Sequence, residues 1–126
     1  MMQSNNPPPE PEPIVNVAEL LARVDNDAEL LRELIAIFKV EFPRHLCALR
    51  EAVGQGNLKN VQKSGHTLRG MLANLGTARA AAAAARLERL EDSSDDAALK
   101  SALAFFESEV TDLLPELEAC VAKARP

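Results

Sequence analysis

Apolar residues recur in steps of three and four along nearly the whole chain beyond residue 16, and no stretch alternates apolar and polar residues in the two-residue rhythm of a strand. That pattern restricts the fold to packed amphipathic helices, because each helix has to bury its apolar stripe against another. Leu31, Ile35, Phe38, Phe42, Leu46, Leu49 and Val53 predict a long helix over 27–53. Pro43 lies inside this stripe and is expected to kink the helix without ending it, since the spacing resumes beyond it. Gly54 and Gly56 mark a tight connection. Leu58, Val61, Gly65, Leu68, Leu72 and Leu75 form the seam of a helix over 58–75, closed by Gly76 in the left-handed conformation.

Thr77 is placed to cap the next helix, whose Ala-rich run from Ala78 is helical on propensity alone and lets neighbours come close. A polar loop is expected over 91–96. A last helix carries Leu99, Leu103, Phe106, Val110, Leu113, Leu117 and Cys120, bent near its end by Pro115. Ahead of all these, Asn16 caps a short helix bearing Val17, Leu20, Leu21 and Val24, with Glu19 as the reciprocal capping partner. The expected fold is all-α: an up-down-up-down four-helix bundle with a short additional N-terminal helix, spanning 14–126. Residues 1–13 hold five prolines and are read as an extended tail, either a linker to a neighbouring domain or a disordered end.

The chain of 126 residues is long enough for one core. It has no Trp or Tyr and only four Phe, too few aromatics for base stacking, and its formal charge of −5 opposes phosphate backbones, so nucleic acid is excluded as a ligand. Cys47 and Cys120 have no metal-ligand spacing and are read as reduced, half-buried packing residues. No apolar run predicts a membrane span and no signal peptide is visible, so a soluble cytoplasmic protein is expected. No metal site and no phosphate-binding glycine loop is expected, hence no kinase activity of its own.

A helical wheel places His66 roughly 130° from the centre of its helix's seam, facing solvent. Lys59, Gln62, Lys63, Arg69, Gly70 and Ala73 share this outer face. A phosphoryl carrier needs a nucleophile that is largely unprotonated near neutral pH, which imidazole supplies. Lys63 and Arg69, one turn to either side, suit the negative charge of a transferring phosphoryl group. Taken alone, a surface histidine among lysines and arginines is more often an ordinary solvated face. Gly70 is harder to read that way. It costs roughly 1 kcal/mol relative to Ala in a helix, and off the seam it favours access by a partner. Ala73 likewise leaves clearance. His45, after Pro43, has none of this context and is read as structural.

The stretch His66-Thr67-Leu68-Arg69-Gly70-Met71-Leu72-Ala73-Asn74-Leu75-Gly76 resembles the signature of histidine phosphotransfer (HPt) domains: His, a basic residue three positions on, Gly at the fourth, and Leu-Gly closing the helix. The likeness extends over nearly everything from Ile14 onward, including the Leu87-Glu88 pair. It implies that His66 accepts a phosphoryl group from an aspartyl phosphate on a receiver domain and passes it to a second receiver. Those receivers belong to a hybrid sensor kinase or a response regulator, and Mg²⁺ is expected on the receiver, with no cofactor on this chain. Arg69 stands where the family usually has lysine, and Met71 where a small residue is usual. The resemblance also implies that Glu88 bonds the imidazole; a surface carboxylate paired with Arg86 is the competing reading. Met71 and Leu72 are candidates for the edge of the docking surface, although Leu72 also fits the seam.

A monomer is expected, free or as the C-terminal domain of a membrane-bound hybrid kinase. Two alternatives stand beside the carrier. One is an interaction module that docks receivers without carrying phosphate. The other is the phosphoacceptor domain of a chemotaxis-type kinase.

Overall fold

The computed structural model describes residues 13–123, so the tail expected over 1–13 lies, apart from Pro13, outside the described residues. Six helices follow one another: α1 Val17–Arg23, α2 Ala28–Gly54, α3 Leu58–Ala73, α4 Ala78–Glu88, α5 Asp96–Val110 and α6 Leu113–Lys123. No strand occurs among the described residues. Helices α2, α3, α4 and α5 close a ring in which each packs on the next and α5 returns to α2. Short connections make these neighbours antiparallel, so the bundle runs up-down-up-down. Helix α6 extends α5 and covers the N-terminal half of α2, where Lys39 Nζ donates to Glu118 Oε2 at 2.7 Å.

The apolar stripes become the core. Leu31, Ile35, Phe38, Phe42, Leu49 and Val53 of α2 are buried, as are Val61, Leu68 and Leu72 of α3. They meet Leu87 of α4, Leu99 and Phe106 of α5, and Leu113, Leu117 and Cys120 of α6. Each such side chain contributes about 1.5–3 kcal/mol relative to an exposed one. Phe38 stacks on Phe42 at 4.7 Å between ring centroids, and Phe42 reaches Phe106 at 6.4 Å, which joins α2 to α5. Helix α2 runs unbroken through Pro43.

Helix α1 is fastened to the turn between α3 and α4. The Asn16 N–H donates to the Gly76 carbonyl at 2.7 Å, and Leu20 is fully buried. Gly76 has φ +66°, and a Cβ there would stand 3.0 Å from the Asn16 carbonyl oxygen. Glycine is required by the left-handed backbone and by this close approach together.

The elements depart from the sequence reading in five places. The reciprocal half of the α1 cap is absent, because the Asn16 N–H is already spent on Gly76 and Glu19 instead pairs with Arg23. Asn16 still caps, accepting from the Glu19 N–H at 3.0 Å. Helix α3 ends at Ala73, two residues early. Thr77 gives α4 no side-chain cap: fully buried, its hydroxyl donates to the Leu72 carbonyl at the end of α3, which also accepts from the Leu75 and Thr77 N–H groups. The single last helix is two. The break falls at Thr111 and Asp112, four residues ahead of Pro115, because proline offers no N–H to the Thr111 carbonyl and its ring clashes there. Pro115 then sits in the first turn of α6, where a missing N–H costs nothing. Finally, Cys47 is exposed, whereas Cys120 is buried.

Candidate functional site

His66 lies midway along α3 with 66% of its side chain exposed. It owes its neighbours to the residue before it. A Cβ on Gly65 would stand 2.7 Å from the Glu88 backbone N and 2.9 Å from the Ala84 carbonyl oxygen. Only glycine lets α3 approach α4 this closely, and the approach carries Glu88, the last residue of α4, to the side of His66. Gln62, one turn before His66, reinforces the pairing by donating from Nε2 to the Leu90 carbonyl at 2.7 Å.

Glu88 divides its two oxygens. Oε2 is 2.7 Å from His66 Nδ1, and Oε1 accepts from Arg69 Nε at 2.6 Å. The Arg69 hydrogen bond, followed by the His66 hydrogen bond, holds the Glu88 carboxyl below its ordinary value of 4.5. An ionised carboxylate can only accept, so the proton in the short Glu88–His66 bond belongs to Nδ1. In the neutral ring Nε2 then carries the lone pair. No partner engages Nε2 among the described residues. Arg69 also brings a terminal nitrogen to 3.3 Å from His66 Nδ1, so one fixed cation stands beside the ring.

The remaining sequence candidates spread around this centre. Gly70 and Ala73 are exposed on α3, and a Cβ on Gly70 would meet nothing within 4 Å. Lys63 is exposed and makes no ion pair among the described residues; it lines a groove between α2 and α3 with Glu51, Gln55 and Asn60. Lys63 is therefore near the site in sequence but engaged with neither His66 nor Glu88. Met71 is half-buried and borders an apolar hollow with Leu34, Ile37, Phe38 and Leu75. Leu72 is fully buried and belongs to the core, which removes it from any docking edge. Arg86 does not pair with Glu88; its guanidinium lies 4.4 Å over the Phe105 ring. His45 is half-exposed, with Nε2 4.0 Å from Glu41 Oε1. Gln62 and Gly65 are the site's unforeseen supports, visible in the sequence only as an outer-face polar residue and a small seam residue.

Among the described residues, no group of three or more His, Cys, Asp or Glu is placed to hold a metal ion, and no helix is long and apolar enough to cross a membrane. What the arrangement offers is a surface nucleophile with one nitrogen fixed as a donor, the other open, and a cation alongside. Comparison with curated proteins and with solved structures returned no match. The family model described as the Hpt domain matches residues 33–124, from within α2 to the end of the bundle. Domains of that family serve histidine phosphotransfer in two-component systems, and this chain belongs to the Hpt domain family.

Proposed function

We propose that this chain is a phosphocarrier that accepts a phosphoryl group on His66 Nε2 from the aspartyl phosphate of one receiver domain and delivers it to the aspartate of another. The observation that carries this reading is the 2.7 Å contact of Glu88 Oε2 with His66 Nδ1, which leaves the exposed Nε2 as the basic nitrogen. In the transfer, the Nε2 lone pair forms the N–P bond as the P–O bond to the receiver's aspartate breaks, and the electron pair leaves with that carboxylate. The reverse step regenerates His66 and phosphorylates the second receiver. Positive charge developing on the imidazole is stabilised by the Glu88 carboxylate, and negative charge on the equatorial oxygens by Arg69 and by Mg²⁺ on the receiver. The chain binds no nucleotide in this scheme and takes phosphate only from partners.

The receiver is expected to cover Gly70 and Ala73, where no side chain obstructs in-line approach, and to extend onto Met71 and the exposed Ile37. Those receivers belong to a hybrid sensor kinase or a response regulator, and the chain works in the cytoplasm as a monomer. The test is phosphotransfer from a panel of phosphorylated receiver domains, read by intact-mass spectrometry with His66→Gln alongside. An acid-labile phosphate on the natural chain and none on the variant is the expected result. Tight receiver binding without transfer would favour a docking module instead. Transfer only from an ATP-binding kinase domain would favour the chemotaxis-type arrangement.

A further inference from the structure

Helix α4 presents a second surface on its other side. At 100° per residue, Arg79 and Arg86 lie roughly 180° and 160° around the helix from Glu88. They face α5: Arg79 Nε donates to Glu109 Oε1 at 3.0 Å, and Arg86 lies over Phe105. Between α4 and α5 runs an open groove of 430 Å³ with Ala82 and Ala83 on its α4 wall, bordered by Arg86, Arg89, Phe105 and the Arg79–Glu109 pair. Phe105 is 40% exposed, one of four large apolar side chains so placed among the described residues. Arg86 and Arg89 make no ion pair among the described residues, although the chain as a whole is acidic.

From this we infer that the α4–α5 groove is a docking site for an acidic amphipathic helix of a partner protein, separate from the His66 face. Two features select that occupant. Ala82 and Phe105 offer apolar surface that a small anion would leave wet. A guanidinium laid on an aromatic ring keeps its N–H edge for carboxylates and loses little freedom when it binds them. Alanine at 82 and 83 keeps the channel open where longer side chains would fill it. Because Arg79 and Arg86 leave α4 on the side opposite Glu88, a partner held against them does not contend with a receiver at His66. The site would tether the carrier to an acidic segment while phosphate passes on the far side.

The experiment is an NMR titration of the ¹⁵N-labelled full chain with a peptide of about 15 residues, the length at which a helix begins to hold in water. The peptide has leucines at three- and four-residue spacing and glutamates between them; one of the same composition in scrambled order is the control. Saturable shifts confined to Ala82, Ala83, Arg86, Arg89 and Phe105 are expected. Binding should weaken by about tenfold or more in the Arg86→Ala, Arg89→Ala double variant, whose unchanged helical circular dichroism shows that it folds. Absence of saturable shifts, equal binding of the scrambled peptide, or shifts centred on His66 and Gly70 would each overturn the inference. Tighter binding of a single-stranded oligonucleotide at the same amides would also overturn it. None of these outcomes bears on whether His66 takes phosphate.

Discussion

Glu88 grips His66 and Arg69 with different oxygens, at 2.7 Å and 2.6 Å, so one carboxylate sets both the tautomer of the imidazole and the position of the cation beside it. Nitrogen shifts of the imidazole read the tautomer directly. At a pH where the ring is neutral, His66 should carry its proton on Nδ1, and Glu88→Ala should shift the population toward the Nε2–H form. Phosphotransfer from a receiver should slow roughly tenfold or more in that variant, because the nucleophilic nitrogen is then partly blocked. Nε2–H as the dominant form of the natural chain would contradict the assignment.

Arg69 answers to two tests. Arg69→Ala removes the cation and frees Glu88, and should lower the transfer rate by about tenfold or more with receiver binding less affected. Arg69→Lys keeps the charge but cannot hold Glu88 through Nε while presenting a second nitrogen to the ring, so it should fall between the two. Single-turnover transfer from a phosphorylated receiver separates these cases. Equal rates for all three forms would show that the guanidinium stands idle.

Acid should uncouple the site in a defined direction. The Glu88 carboxyl is held below 4.5 by Arg69 and then by His66. A group depressed in the folded state adds stability that is fully present above its unfolded value and is lost as pH falls through the folded value. Urea midpoints of the natural chain and of Glu88→Gln should therefore differ at neutral pH and converge as the pH drops below that of an ordinary glutamate. A gap that persists or widens in acid would reverse the sign of the coupling.

Two glycines on one helix should respond oppositely to the same substitution. Gly65→Ala drives a Cβ into backbone atoms of α4 and should cost about 1–3 kcal/mol in denaturant unfolding, since backbone cannot step aside. The variant should also lose the His66–Glu88 contact and with it the Nδ1–H preference. Gly70→Ala meets open space and should raise stability by up to about 1 kcal/mol. Gly70→Gln should fold as well as the natural chain yet dock receivers poorly, and unimpaired docking would remove Gly70 from the contact surface.

The bundle was legible because its stripes are local: Leu31 to Val53 and Leu58 to Leu72 announce buried faces with no knowledge of what they face. The placement of His66 on the outer face followed from the same geometry. What stayed hidden depends on a second element. Thr77 looks like a cap until the turn after α3 hands its hydroxyl to the Leu72 carbonyl. Glu88 could have paired with Arg86, and only the juxtaposition of α3 and α4 through Gly65 hands it to His66 while Phe105 takes Arg86. The division of the last helix ahead of Pro115 was readable in principle, because a proline's effect falls on the carbonyl four residues before it.

On the carrier reading, the openness of His66 divides the labour between molecules. An enzyme that handles reactive phosphate keeps it dry within its own walls, but this ring stands on the convex outside of a bundle with two-thirds of its side chain in solvent. On the carrier reading, shelter from hydrolysis exists only while a receiver covers the helix, and between encounters the lifetime of the cargo is set by water. The chain then behaves as a courier with a timed parcel: how far a signal travels depends on how soon the next receiver is met, a quantity fixed by concentration and tethering and not by the bundle itself.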